Sequence, residues 1–202
     1  MRALRIFLAA GLGAALLAPV QAAAGPPRPD IVIGAGGTFA TSGTPQGGGA
    51  SFSLSPLWAV NDRMRFGVMV FADDIGTTIA RLSDPNDGSD LGAVALDHRW
   101  TFGGAWRADA DLVHRGRWTG AVTGSWGYWR IEDDVRGVTT AAASAVGVTL
   151  GANARHAMSS GQAIGFEVRY HKIFSDRGTA YRRVEHYASA AIDWRWAGSS
   201  RP

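Results

Sequence analysis

Apolar and small or polar side chains exchange places at nearly every step along this chain, and a period of two dictates β-strands rather than helices. From residue 164, Ile164, Phe166, Val168 and Tyr170 interleave with Gly165, Glu167, Arg169 and His171. Val146, Val148, Leu150 and Ala152 likewise alternate with Gly147, Thr149, Gly151, Asn153 and, further on, Arg155. In the last such stretch Ala190, Ile192, Trp194 and Trp196 oppose Ser189, Ala191, Asp193 and Arg195. Earlier, Trp100, Phe102, Trp106, Ala108 and Ala110 oppose Arg99, Thr101, Arg107, Asp109 and Asp111. Phe52 and Leu54 alternate with Ser51, Ser53 and Ser55, and Met64, Phe66, Val68 and Val70 with Arg65, Gly67, Met69 and Phe71.

The pattern predicts eight strands, over 31–40, 49–58, 64–74, 98–112, 117–131, 145–157, 163–174 and 186–196. Each is near the length of a tilted transmembrane strand, and an even number closes an antiparallel sheet on itself. The first strand is glycine-rich and carries the weakest signal. The expected fold class is all-β, an eight-stranded antiparallel up-and-down transmembrane β-barrel. The stretches after residue 24 lack the roughly 18 consecutive apolar residues of a transmembrane helix.

The N-terminus constrains the compartment. Arg2 and Arg5 precede an apolar run from Ile6 to Leu17, too short to span a bilayer, and Val20-Gln21-Ala22 ends on the small residue that signal peptidase needs. Residues 1–23 are therefore expected to be a signal peptide, 24–30 a proline-rich periplasmic linker, 31–197 the barrel and 198–202 a short tail. Removing Arg2 and Arg5 leaves 18 basic against 17 acidic residues. A nearly neutral chain gives no footing for nucleic-acid binding. Cysteine is absent, so neither disulfides nor thiolate metal sites are available.

Connection lengths give an independent signal. Residues 60–63, 114–116 and 159–162 read as tight turns, and 75–97, 132–144 and 175–185 as long polar loops, the asymmetry of outer-membrane barrels. Within 75–97, Thr77 to Leu82 and Leu91 to Leu96 are expected to pair as a hairpin beyond the membrane.

Alternation leaves open which face is inside, since a lipocalin-type barrel binding small hydrophobic molecules has the same period reversed. Aromatic placement favours an apolar outer face. Trp58, Trp118, Trp194 and Trp196 fall toward the turn ends, and Trp100, Trp126 and Tyr128 toward the loop ends, as two girdles at lipid headgroup level. The polar set is mostly small, with a single lysine, Lys172, in the whole chain. Its opposite charges, Glu167 with Arg169, Asp193 with Arg195, and Arg155, are expected to form a network that plugs a narrow interior.

On these residues the chain resembles the small outer-membrane β-barrels of the OmpA and OmpX kind. Ser189, Ala191, Trp194 and Trp196 resemble the last-strand assembly signal of such proteins, although Ala197 to Pro202 extend past the final aromatic. The resemblance implies the outer membrane of a Gram-negative bacterium, a porin-like architecture, contact with lipid and lipopolysaccharide, passage through the barrel-assembly machinery, and a monomer.

Few residue sets suggest chemistry. His98, His114, His156, His171 and His186 show no metal-ligand spacing, and no phosphate-loop or dinucleotide fingerprint occurs. A lipid A deacylase would need a His-x-Ser pair on one strand face. Here His186 and Ser189 are three apart and diverge unless a bulge intervenes. No catalytic residue, cofactor or metal is expected. Asp73, Asp74 and Glu132 to Asp134, with Arg81, Arg136, Arg177, Arg182 and Arg183, form a charged rim. The expected role is noncatalytic, structural in the envelope or in surface contact, with a lipid A-modifying enzyme or a hydrophobic-molecule carrier as rivals.

Overall fold

A computed structural model of the protein describes residues 28–40, 48–76, 78–83, 86–87, 89–96, 98–135, 138–158, 161–174, 181–182 and 186–197. The expected signal peptide, most of the linker and the terminal tail lie outside these residues.

Eleven strands are described. They are β1 (Asp30–Ala40), β2 (Gly48–Ala59), β3 (Met64–Asp74), β4 (Thr78–Ser83), β5 (Asp90–Leu96), β6 (His98–Arg115), β7 (Trp118–Val135), β8 (Val138–Ala157), β9 (Gln162–Phe174), β10 (Tyr181–Arg182) and β11 (His186–Trp196). Eight close a barrel in the order β1-β11-β9-β8-β7-β6-β3-β2. Every neighbouring pair is antiparallel, and the first strand meets the last from Ile31↔Trp196 to Ala40↔Tyr187. Closure leaves no barrel strand with an unpaired edge. The remaining strands make a small sheet, β10-β4-β5, on the loop side.

The structure corrects three boundaries. Residues 132–144, read as a polar loop, are largely strand, because β7 and β8 keep pairing up to Val135↔Val138. Backbone hydrogen bonds extend a ladder whether or not its faces are apolar, so the hairpin continues where alternation stops. The turn read at 114–116 is displaced: Arg115 pairs with Trp118, and Gly116 adopts a φ of 61°, where a Cβ would be strained. A bulge between Asp111 and Val113 resets the alternation just before that turn. Finally, the loop read at 175–185 contributes β10, which pairs Tyr181↔Leu82 and Arg182↔Arg81.

The barrel is inside out relative to a soluble one. Phe52, Val70, Tyr128, Val146, Leu150, Phe166 and Ile192 are each more than half exposed on the outer wall, whereas Arg107, Glu167, Arg169, Asp109 and Asp193 are at most 2% exposed inside. Burying that outer wall takes a surrounding apolar medium, since no second layer covers it.

Candidate functional site

The lumen falls into layers. In its loop half, Met69, Phe71, Ile75, Ala105, Trp129, Ile131, Ala145, Ile173 and Tyr187 form one apolar cluster. Phe71 and Trp129 are tilted at 5.0 Å between centroids. Gly147 makes room for the indole: a Cβ there would stand 2.9 Å from Trp129 Cε3 and from Lys172 O. This cluster escapes the sequence reading, which assigns the inner face to small and charged residues. The parity that sends Trp126 and Tyr128 outward nonetheless sends Trp129 inward.

Next to this cluster lies a polar set. The Tyr187 hydroxyl donates to Asp73 Oδ2 at 2.6 Å, Ser51 Oγ donates to Asp73 Oδ1 at 2.6 Å, and Thr101 Oγ1 donates to the Tyr187 hydroxyl oxygen at 3.2 Å. His171 stacks on Tyr187 at 4.2 Å, with Ser189 Oγ 2.9 Å from its Nε2 and Thr149 Oγ1 3.0 Å from its Nδ1.

Toward the turns the lumen is charged. Glu167 accepts from Arg169 Nη2 at 2.7 Å, Arg107 Nη2 at 3.0 Å and Thr123 Oγ1 at 3.0 Å. Arg107 also pairs with Asp109 at 2.8 Å, and Arg169 donates to Ser53 Oγ at 2.9 Å. Lower still, Arg65 bridges Asp111 at 2.7 Å and Asp30 at 2.9 Å, and Arg155 pairs with the same Asp111. A cavity of about 10 Å³ between Met69, Arg107, Thr123, Glu167 and Arg169 is no larger than one water.

The network differs from the expected one in its partners. Asp193 and Arg195 make no ion pair with each other among the described residues. Arg195 reaches across the β1–β11 seam to Asp30 at 3.2 Å, and Asp193 Oδ1 is buried without a hydrogen bond. Asp30, expected in the linker, begins β1 and anchors two arginines. Arg65, Arg107, Asp109 and Asp111 carry the same inward parity as Glu167, so alternation marks them, but only the closed barrel brings them to it.

The aromatic side chains expected in the girdles point outward. Trp58, Trp118, Trp126, Tyr128, Trp194 and Trp196 are between 37% and 55% exposed, and Trp100 is intermediate. Trp194 and Trp196 sit 5.8 Å apart on the outer wall of β11, whereas Ser189 and Ala191 of the same strand are buried in the lumen. Phe66, Trp106 and Trp126 form an outer cluster with centroids at 5.7 and 5.9 Å.

The possible hydrolase pair is separated. Strand β11 runs in unbroken register from His186↔Lys172 to Trp196↔Gln162, so no bulge brings His186 and Ser189 to one face. Ser189 does meet a histidine, His171, but both lie within 1% of complete burial beneath Tyr187, out of reach of any lipid. Of the charged rim, Asp74 Oδ2 is 3.0 Å from His98 Nδ1, and Arg130 Nε donates to Glu132 Oε1 at 2.8 Å. In the β4–β5 hairpin the Ser89 N–H donates to Asp87 Oδ1 at 2.8 Å and holds that carboxyl below its usual range. Arg136, Arg177 and Arg183 lie outside the described residues.

This closed, antiparallel, inside-out barrel has the fold of the small eight-stranded outer-membrane β-barrels. Among solved structures it is similar to Neisserial surface protein A, NspA, with a TM-score of 0.57 and 12% identity over 83% of this chain and 94% of that one. Also similar are Ail, the attachment invasion locus protein of Yersinia pestis, solved with the heparin analogue sucrose octasulfate (TM-score 0.46, 11% identity, 84% and 96% covered), and the outer-membrane enzyme PagL (TM-score 0.41, 11% identity, 83% and 98% covered). No protein-family model and no curated protein matches the sequence.

Proposed function

We propose that the mature chain is a noncatalytic integral protein of a Gram-negative outer membrane, with the turns in the periplasm and the β4–β5–β10 sheet outside the cell, serving envelope structure or surface contact. The observation that carries this reading is the inversion of the barrel wall: exposed aromatic and aliphatic side chains outside, buried ion pairs inside. Such a wall is stable in hydrocarbon and unstable in water. The filled lumen argues against a carrier of hydrophobic molecules, and the divergence of His186 and Ser189 argues against a lipid A hydrolase. Trp58, Trp118, Trp194 and Trp196 serve as the headgroup girdle toward the turns in this reading; toward the loops Trp100, paired with Glu132, lies at the headgroups, while Trp126, paired with Val148, and Tyr128 face the hydrocarbon below it. The last strand, with Ser189, Ala191, Trp194 and Trp196, is read by the barrel-assembly machinery. The folded protein works as a monomer among lipid and lipopolysaccharide, and no nucleic acid is involved.

Fractionation tests the location: the protein is expected in the outer membrane, extractable with detergent only, with heat-modifiable gel migration. Protease applied to whole cells should cut within 75–97 and spare the barrel. Recovery in the soluble periplasm would overturn the assignment. Lipid A from cells with and without the protein should give identical mass spectra, and loss of an acyl chain would overturn the noncatalytic reading.

A further inference from the structure

The outer wall carries a notch where β3, β6, β7 and β8 run side by side. Val70, Gly104, Tyr128 and Val146 form a row across β3, β6, β7 and β8, paired Val70↔Gly104, Gly104↔Tyr128 and Tyr128↔Val146. The row toward the turns is Val68, Trp106, Trp126 and Val148, and the row toward the loops is Ala72, Phe102, Arg130 and Ser144. Gly104 faces outward with no side chain among large neighbours. The result is an apolar groove of about 470 Å³, bounded by Val70, Trp106, Trp126, Tyr128 and Val146.

On β7 and β8 the outer face turns polar directly above the groove. Arg130 follows Tyr128 on the same face of β7, one side-chain repeat of roughly 7 Å away, and its neighbour Ser144 is exposed. The Arg130 side chain is 52% exposed, and it is Nε that Glu132 occupies. A cation directly above an apolar groove, with the exposed Ser144 beside it on β8, matches an amphiphile with a phosphate head and a hydrocarbon tail. A second barrel is a poorer fit, because a stable protein interface needs about 800 Å² per partner and this groove is a local notch in a curved wall.

We infer that the groove at Gly104 holds one acyl chain of a lipid A molecule whose phosphate is bound by Arg130. The inference rests on the proposed orientation, which puts the groove in the outer leaflet. Gly104 is thereby a specificity-determining residue, its missing side chain being the space the chain fills.

The test uses full-length mature protein refolded into phosphatidylcholine vesicles, with hexa-acylated lipid A or phosphatidylglycerol added, followed by detergent release and native mass spectrometry. Heat-modifiability is read on every sample. Wild type should carry one lipid A per barrel. Gly104→Leu, whose Cβ meets nothing closer than Met69 O at 4.0 Å, should fold normally and lose the adduct at least about tenfold, as should Arg130→Gln. Gly124→Leu, likewise in open space on the outer wall but outside the groove, should retain it. Equal adducts in all four proteins, equal retention of phosphatidylglycerol, or a dimer abolished by Gly104→Leu would overturn the lipid A assignment. A wild-type protein that fails to insert at all would overturn the membrane reading as well, whereas one that inserts without an adduct overturns this inference alone.

Discussion

In the loop half of the lumen, Trp129 packs against Phe71 and Ile173 joins the same uncharged cluster; farther down β7, Thr123 donates to a carboxylate that also binds two arginines. One strand thus passes from a core stabilised by dispersion and close packing to one stabilised by mutual neutralisation. The apolar layer contributes whatever its neighbours do and degrades gradually as atoms are removed. The charged layer is conditional: each ion was desolvated at large cost, and the return depends on all partners being present. Both layers fill the lumen with side chains, so the plug is built twice by different physics.

The largest expected effect comes from breaking the charged layer at its centre. Glu167→Gln removes the shared partner of Arg107 and Arg169 and should cost about 3–5 kcal/mol, read as a lower denaturant midpoint for the protein refolded in micelles or vesicles. A loss no greater than that of a rim substitution would show that lumen water already solvates these arginines.

Trp129→Ala should cost a similar or slightly smaller amount, about 3–5 kcal/mol, through the cavity it opens. Six residues along β7 separate Trp129 from Thr123, roughly 20 Å at strand rise. The double variant with Glu167→Gln should therefore be additive within about 0.5 kcal/mol. Marked non-additivity would mean that the layers form one cooperative plug. Planar-bilayer recordings are expected to show no large steady conductance for wild type or either single variant, since each leaves one layer in place. A porin-sized open pore in wild type would refute the filled lumen outright.

On the outer wall, Phe166→Arg and Val148→Arg should each cost about 2–4 kcal/mol near mid-depth, while Thr149→Arg, whose side chain faces the lumen, should not follow depth in the membrane. Equal depth dependence at all three positions would contradict the assignment of faces. The smallest effect is expected at the rim: Glu132→Gln breaks a solvent-exposed pair with Arg130 and should cost less than about 1 kcal/mol, diminishing further in high salt.

How much of this was legible from residues alone varies by level. Strand identity, facing and the even count of barrel strands follow from alternation, because a side chain's face is a local property of extended backbone. Ile164 to His171 has one reading as a strand, and its faces do not depend on what lies across the barrel. The hairpin extension at 132–144 was not legible, since pairing outside an apolar layer leaves no hydrophobic pattern to read. Partnerships were not legible either. Parity marks Arg65, Arg107, Asp109 and Arg195 as inward, but whether Arg195 meets Asp193 on its own strand or Asp30 on the next depends on barrel stagger. The groove at Gly104 is likewise invisible in sequence, where it is one glycine among 27; it exists because register sets that residue between Val70 and Tyr128. The sequence by itself determined which segments are strands and which side chains share a face, both set within a few residues of chain, and its aromatic placement along the whole chain favoured an apolar outer wall. Only the tertiary structure decided ion pairs, lumen layers and the shape of the outer surface, because these depend on which residues of different strands closure and shear bring level.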